Sequence, residues 1–455
     1  MRIQTLAGSA QPATGRLTRH THQTAVRTAV KLPFWLTLLA ISIVLPEEFS
    51  LYIFGLRFTV TRLLYIVLAP LIVSRLAQKM RTGRYRFLVT DLFVFLSGFW
   101  MIFAPANITG FTSALNHGGP IALEFCMGYF VTRVLLSERG QALKFISLFC
   151  SLVAIVGLLA VLDTLSQRFV LHWLATALTG YRTYSGADMS LGAADNYREG
   201  FFRAKGPFEH PIILGMMSCI GLIIASYVRI RFQKLSIAGC IVGAIAAVST
   251  APMQSLIIGF SLLTYNRILS GVPLKWLFLI GVCATGIGAV WISGHSILHF
   301  LFNNLIFDPA SGFYRLMTWY QVIAAVHQSP WFGLGFGPFP EYLDINHSID
   351  ALWLMLALNY GVPGSILVCL SLIAGVALPV SSPKIDLSPM EKKLGLVLGV
   401  ALTAIILISF TVDFWGSSWV ACAVLLGVKA HLSELGRIGR RLPSPARDIS
   451  IRRAV

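Results

Sequence analysis

The chain has 455 residues, 56% of them hydrophobic and only 12% charged, with a mean hydropathy of +0.74. A soluble globular chain is about half apolar and about a quarter charged, so this composition excludes that class and points to an all-α polytopic membrane protein. The formal charge of +17 marks basic cytoplasmic loops rather than a nucleic-acid partner, because Lys and Arg accumulate on the inner side of membrane proteins.

Residues 1–32 are polar and basic, and lack the short apolar core and small-residue cleavage site of a signal peptide. They predict a cytoplasmic N-terminal tail. A membrane helix needs about 20 mostly apolar residues. Apolar runs follow at 33–46, 59–77, 88–105, 117–136, 143–163, 210–228, 235–250, 253–268, 275–293, 350–379, 394–412 and 414–430. They predict a transmembrane domain of about 12 helices over 33–430 and a basic cytoplasmic tail over 431–455. With the N-terminus inside, 28 of the 36 Lys and Arg fall on inner segments, and one misplaced span would invert that pattern midway. The seven cysteines all lie in apolar runs, without disulfide or zinc spacing, and read as small core residues.

Two connections, 164–209 and 294–349, are long and external in this topology. Long connections of this kind are usually functional or disordered, and the Trp, Phe, Tyr and Gly content here argues for function. The first ends in REGFFRAKGPFEHPIILG, where Arg203 and Lys205 precede a Gly-Pro turn and His210-Pro211 opens the next span. The second holds a helical pattern from Tyr314 to His327, with Leu316, Trp319, Ile323 and Val326 on one face. Its Arg315 is the only Lys or Arg of residues 294–349. A Gly/Pro/Phe-rich stretch follows and predicts an irregular, aromatic-lined loop. Arginine presents a planar fork that grips phosphate bidentately, so Arg203 and Arg315, with Lys205, are candidate anion ligands. Arg57 and Arg62 at the outer end of the second span extend the same positive basin. Lipid phosphate or solvent is the alternative partner for each of these cations.

The tenth span opens with HSIDALWLMLALNYGVPG. On a helix, His347 and Asp350 at i and i+3 share a face, and a carboxylate beside an imidazole makes a general base. Asp350 is alternatively a helix N-cap. Glu124, inside the fourth span, reads as the partner of a polar helix face or as a proton-relay group.

RAKGPFEHPIILG, YRLMTWYQVIAAVHQSPWFGLGFG and HSIDALWLMLALNYGVPG together resemble the three signatures of the O-antigen ligase and Wzy-type O-antigen polymerase superfamily. LPEEFSLYIFGLRFTVTRLL resembles that family's first hairpin. The resemblance covers about 200–365 by motif. It implies a GT-C-like membrane glycosyltransferase without cofactor or metal, in the inner membrane with both termini cytoplasmic. Such an enzyme transfers saccharide from undecaprenyl-diphosphate-linked oligosaccharide to an acceptor glycan on the external face. Membrane lipid, a chain-length regulator and export machinery would be its further partners. Arg203 and Arg315 would match the arginines that hold the diphosphate. Where ligases carry His-Asn this chain has Asp350-Ala351, with His347 one turn earlier, so it looks more like an exopolysaccharide polymerase. A ligase acting on a lipid or protein acceptor and a lipid-oligosaccharide flippase are the alternatives.

Overall fold

The computed structural model describes residues 30–53, 56–181, 196–294, 296, 298–299, 309–336, 349–380 and 387–438. Helix α1 (Phe34–Ser42) leads into a hairpin of β1 (Ser50–Ile53) and β2 (Leu56–Thr59). Then come α2 (Val60–Arg81), α3 (Val89–Thr109), α4 (Phe111–Leu135), α5 (Gln141–Leu159), α6 (Val161–Ser166) and α7 (Val170–Thr179). A short hairpin, β3 (Tyr197–Arg198) with β4 (Phe201–Phe202), precedes α8 (Pro211–Tyr227), α9 (Gln233–Ala246), α10 (Thr250–Ile268) and α11 (Lys275–Ile292). The remaining helices are α12 (Pro309–Val326), α13 (Leu352–Ala377), α14 (Pro389–Ile408) and α15 (Gly416–Ile438).

Each run expected to span the membrane falls on a helix: α1 to α5, α8 to α11 and α13 to α15. Among the described residues six helices are long and apolar enough to cross a membrane. The chain is a multi-pass α-helical membrane protein. The long connections carry structure of their own, α7 and the β3–β4 hairpin in the first and α12 in the second. Helix starts follow local chemistry. Ser388 Oγ accepts from Glu391 N at 3.2 Å while Glu391 Oε2 accepts from Ser388 N at 2.9 Å, so Ser-Pro-Met-Glu closes a capping box at α14.

Helix α15 is the axis of the bundle, with 94% of its span buried. Its Trp419 stacks on Phe125 of α4 at 4.7 Å and donates from Nε1 to the Ile121 carbonyl at 3.1 Å. Thr132 of α4 donates to the Val424 carbonyl at 3.3 Å. The helix continues past residue 430, where the cytoplasmic tail was expected, to Ile438, with His431, Ser433 and Glu434 buried. Arg133, which the charge count placed in an inner loop, is also buried. It pairs with Asp91 at 2.7 Å and donates to the Arg86 carbonyl at 2.6 Å, with Glu434 at 3.7 Å. Helix α11 buries none of its residues against the bundle, and its Cys283 is exposed, not core. All seven cysteines are free thiols.

Helix α13 is broken at Gly361 (φ 74°, ψ 171°), and Pro363 restarts it. The break lets the segment after α12 dock. Leu334 N donates to the Leu358 carbonyl at 2.6 Å and Val362 N to the Pro330 carbonyl at 2.8 Å. Trp100 of α3 stacks on Phe332 and donates to the Tyr360 carbonyl at 2.8 Å. The two glycine-rich motifs are thus two sides of one joint. A Cβ on Gly361 would collide with the Trp331 carbonyl. Gly361→Ala adds that clash to a backbone strain of about 1–3 kcal/mol. The variant is expected to lose at least several degrees of thermal stability in detergent. Gly286→Ala, on α11 with open space around it, is expected to stay within about 1 kcal/mol of the parent.

Candidate functional site

The β1–β2 hairpin sets Tyr52 opposite Arg57 and runs directly into α2, whose first turn is capped by Thr59 Oγ1 accepting from Arg62 N at 3.3 Å. This hinge aims both arginines toward α4. Arg57 Nη2 lies 2.9 Å from Glu47 Oε2, and Arg62 Nε lies 2.7 Å from Glu124 Oε1. Arg62 Nη1 also donates to the Arg57 carbonyl at 2.9 Å. Glu124 is 3% exposed, so its ion pair answers the charge that the fourth span carries.

These groups open onto a cavity of about 510 Å³. Its polar lining is Arg57, Arg62, Glu47, Glu124, Glu209 and Asp413, joined by His117 and Asn359. Its apolar walls are aromatic, among them Phe336, Tyr360, Phe414 and Trp415. Phe336 stacks on His117 at 5.2 Å and meets Tyr360 edge-on at 5.6 Å. A smaller, more enclosed chamber of about 40 Å³ adjoins it and shares Glu47, Arg57, Arg62, Glu124 and Glu209. Arg62 lies in the first turn of α2, at the end away from Arg81, and Glu124 lies mid-way along α4, nine residues before Arg133, so the cavity lies away from the basic ends of these helices.

Glu209 closes the cavity from the first long connection. Its Oε1 accepts from Ser417 N at 3.1 Å and from Ser417 Oγ at 3.4 Å. Gly416 (φ 50°) makes room for it, since a Cβ there would fall inside the carboxylate. Burial lifts the Glu209 carboxyl to about 7, and the neighbouring Glu47 charge adds to the rise. His210 caps α8, with Nδ1 accepting from Ile212 N at 3.2 Å. Burial, with Arg203 and Lys205 nearby, holds its imidazole down at about 3, hence neutral at pH 7. Asp413, between α14 and α15, is likewise lifted to about 7 by burial and by the charge of Asp350, while the Phe414 N–H at 2.8 Å opposes the shift.

The predicted site residues divide into two groups. Arg57 and Arg62 line the cavity, already matched by carboxylates. Arg203, Lys205, Arg315 and Asp350 are not among the residues that line it. Lys205 is 4% exposed and lies over the Phe169 ring at 4.0 Å, and the backbone N–H groups of Lys205 and Gly206 reach Asp163 Oδ2 at 3.3 and 2.9 Å. Its ammonium sits over an aromatic face instead of facing the cavity. Arg315 is buried on α12, whose Trp319 donates to the Phe410 carbonyl at 3.1 Å.

The geometry expected of Asp350 needs correction. Helix α13 begins at Leu352 and its N-cap is Ala351, so Asp350 lies before the helix and does not cap it. Leu352 N donates instead to the Val412 carbonyl at 3.1 Å, which sets this segment beside Val412 and Asp413. His347 lies outside the described residues.

Sequence reasoning did not single out Glu47, Glu209, Asp413 or His117. The first three are acids at the ends of apolar runs, in LPEEFS, GPFEHP and TVDFWG. Acids in such places need cations or protons, and that was the available signal. No family model and no curated protein matches the chain.

Two outcomes follow from this geometry. Glu124→Leu strands Arg62 and is expected to cost about 3–5 kcal/mol, whereas adding Arg62→Leu removes both buried charges and restores most of the loss. Thermal melts of the single and double variants in one detergent check this. Glu209 and Asp413 bind protons more tightly folded than unfolded, so their contribution to stability is complete below the ordinary carboxylate range. It is lost as pH rises through about 7. The melting temperature is expected to fall between pH 5.5 and 8, less steeply in Asp413→Asn.

Proposed function

We propose that the protein is a membrane glycosyltransferase that moves saccharide units from undecaprenyl diphosphate to an acceptor hydroxyl, polymerising them on the external face of the inner membrane. The support is convergence around one cavity. The first hairpin supplies Arg57, the segment after it Arg62, and the Arg203–His210 stretch ends in Glu209. The loop after α12 supplies Phe336, and α13 supplies Asn359 and Tyr360. These stretches carry the family resemblance, and they lie far apart in the chain. Aromatic walls suit sugar rings, Asn359 suits sugar hydroxyls, and the size suits a few sugar units. With about 12 crossings and both ends inside, as the charge pattern suggests, this cavity opens on the external face, since the basic connections lie at the opposite end.

In the transfer, the acceptor oxygen forms a bond to the anomeric carbon as the bond from that carbon to the diphosphate oxygen breaks. The diphosphate leaves with the electron pair. Arg203 and Arg315, the arginines that the family resemblance matches to the diphosphate ligands, stabilise that developing charge. The hydroxyl proton passes to Asp350 or to His347. Two arginines offset a diphosphate without a metal.

The test is incubation of purified protein with lipid-linked oligosaccharide, resolving products by length. A ladder supports polymerisation. A single addition to a separate acceptor would make it a ligase, and movement without a new bond would make it a flippase. Arg315→Lys and Arg203→Lys are expected to lose at least about 100-fold in rate at normal abundance, since a point charge cannot replace the fork. Near-parental rates would reduce these residues to packing. Asp350→Asn is expected to lose about 10²–10⁴-fold if the carboxylate is the base, and to stay active if the histidine is. Activity is expected to survive chelators, and rescue by magnesium after EDTA would defeat the arginine account.

A further inference from the structure

The chamber beside the cavity holds an unbalanced set of charges. Three carboxylates, Glu47, Glu124 and Glu209, face two guanidiniums. Arg57 takes Glu47 and Arg62 takes Glu124, each by a short ion pair. Among the described residues Glu209 receives only neutral donors, the N–H and O–H of Ser417 and its own backbone N–H. Two oxygens of this set are sealed from solvent and have no hydrogen-bond partner among the described residues, Glu47 Oε1 and Glu209 Oε2. The Glu47 side chain is 8% exposed. An ionised Glu209 would set two orphan acceptors around one chamber, each stripped of water without a donor in exchange. One proton removes the conflict: a protonated Glu209 becomes a donor, and Glu47 Oε1 is the acceptor that lacks one. The chamber, at about 40 Å³, has room for two or three waters, and polar groups line it.

We propose that this chamber is a proton-binding site in which Glu209 and Glu47 share one proton through enclosed water. The groups facing Glu209 set its behaviour. Glu47 and Glu124 oppose its ionisation from the α1–β1 connection and from α4, and Asp413 does so from across the cavity. Arg57 and Arg62 favour ionisation but are occupied, and Arg203 and Lys205 lie on its own segment beside neutral His210. Because Glu209 also lines the large cavity, the site exchanges protons with it. Under the glycosyl-transfer reading, on which this one consequence rests, a site that has released its proton to the cavity takes up the one that the base removes from the acceptor hydroxyl. The hydroxyl O–H bond breaks as the base binds the proton, and the base then gives it up as an O–H bond forms on Glu209, with no other bond changed.

The test is infrared spectroscopy of the full-length protein in lipid nanodiscs across pH 5 to 9. Asp413→Asn serves as the background, because Asp413 titrates in the same range. The carbonyl-stretch band of a protonated buried carboxyl is expected at low pH, vanishing with a half-point near 7. Glu209→Gln keeps an acceptor for Ser417 and is expected to lose the band at every pH. Glu47→Gln removes a facing negative charge and releases Arg57, so the half-point is expected at least one pH unit lower. A band that persists in Glu209→Gln, or no band in the background protein, overturns the proposal. If Glu209→Gln does not fold, Glu47→Gln decides alone, and an unmoved half-point overturns it. Transfer is assayed separately on the parent: its absence would sink the glycosyltransferase reading, while the infrared result would decide the proton site.

Discussion

A charge inside an apolar bundle must meet its opposite, a proton or water. Most of what is specific to this molecule follows from how its buried charges meet that demand. At the cavity end of the bundle, Glu124 is held by Arg62 and Glu47 by Arg57. At the other end, Arg133 is held by Asp91 and Glu434, with Tyr129 donating to Asp91 at 2.5 Å. Both networks run through α4 and help dock α2, α3 and α15 against it. Removing one partner strands the other where water cannot reach it easily, which makes the pairs strict about their neighbours. The two ends differ in surplus. The Arg133 cluster is sealed, while the one around Glu124 has more carboxylates than guanidiniums and a cavity beside it.

The helices were legible in the sequence because apolar length is a strong constraint in a membrane. The joint between α12 and α13 was legible as an irregularity. GVPG and the Gly/Phe-rich stretch each announced a break, but only packing could show that Gly361 and Gly333 accommodate each other's strands of backbone. The depth of individual charges was not legible. Arg133 and Lys429 were counted among the residues of inner segments, yet both are buried, Lys429 donating to the Gly395 carbonyl at 2.6 Å. The positive-inside pattern reports the end of a helix, not whether a side chain there meets water.

The same distinction explains the site. Arg57 and Arg62 were expected to form a positive basin with Arg203 and Arg315. In the fold, the first two face acids that the sequence reading had passed over, because each acid lay at the edge of an apolar run and carried no motif of its own. Asp350 was placed on a helix by its spacing from His347, but α13 starts two residues later and a hydrogen bond to Val412 fixes the approach. Spacing rules hold within an element, and these residues lie at a boundary, where tertiary contacts decide.

One further contact ties the acids together. Glu47 and Glu209 are not neighbours in sequence, but the residue after the first and the residue before the second meet on one imidazole. His172 of α7 sets Nδ1 2.9 Å from Glu48 Oε1 and Nε2 2.9 Å from the Phe208 carbonyl, and the ring is fully buried. Both nitrogens sit within hydrogen-bond distance of an oxygen, so one ring bridges the two segments. A clasp of this kind leaves the α1–β1 connection and the Arg203–His210 stretch little freedom to slide past each other. It therefore holds Glu47 and Glu209 at one chamber, although neither touches the histidine itself. The first long connection is then less a lid over the cavity than part of its frame, with α7 as the strut that fixes where the unpaired carboxylate stands.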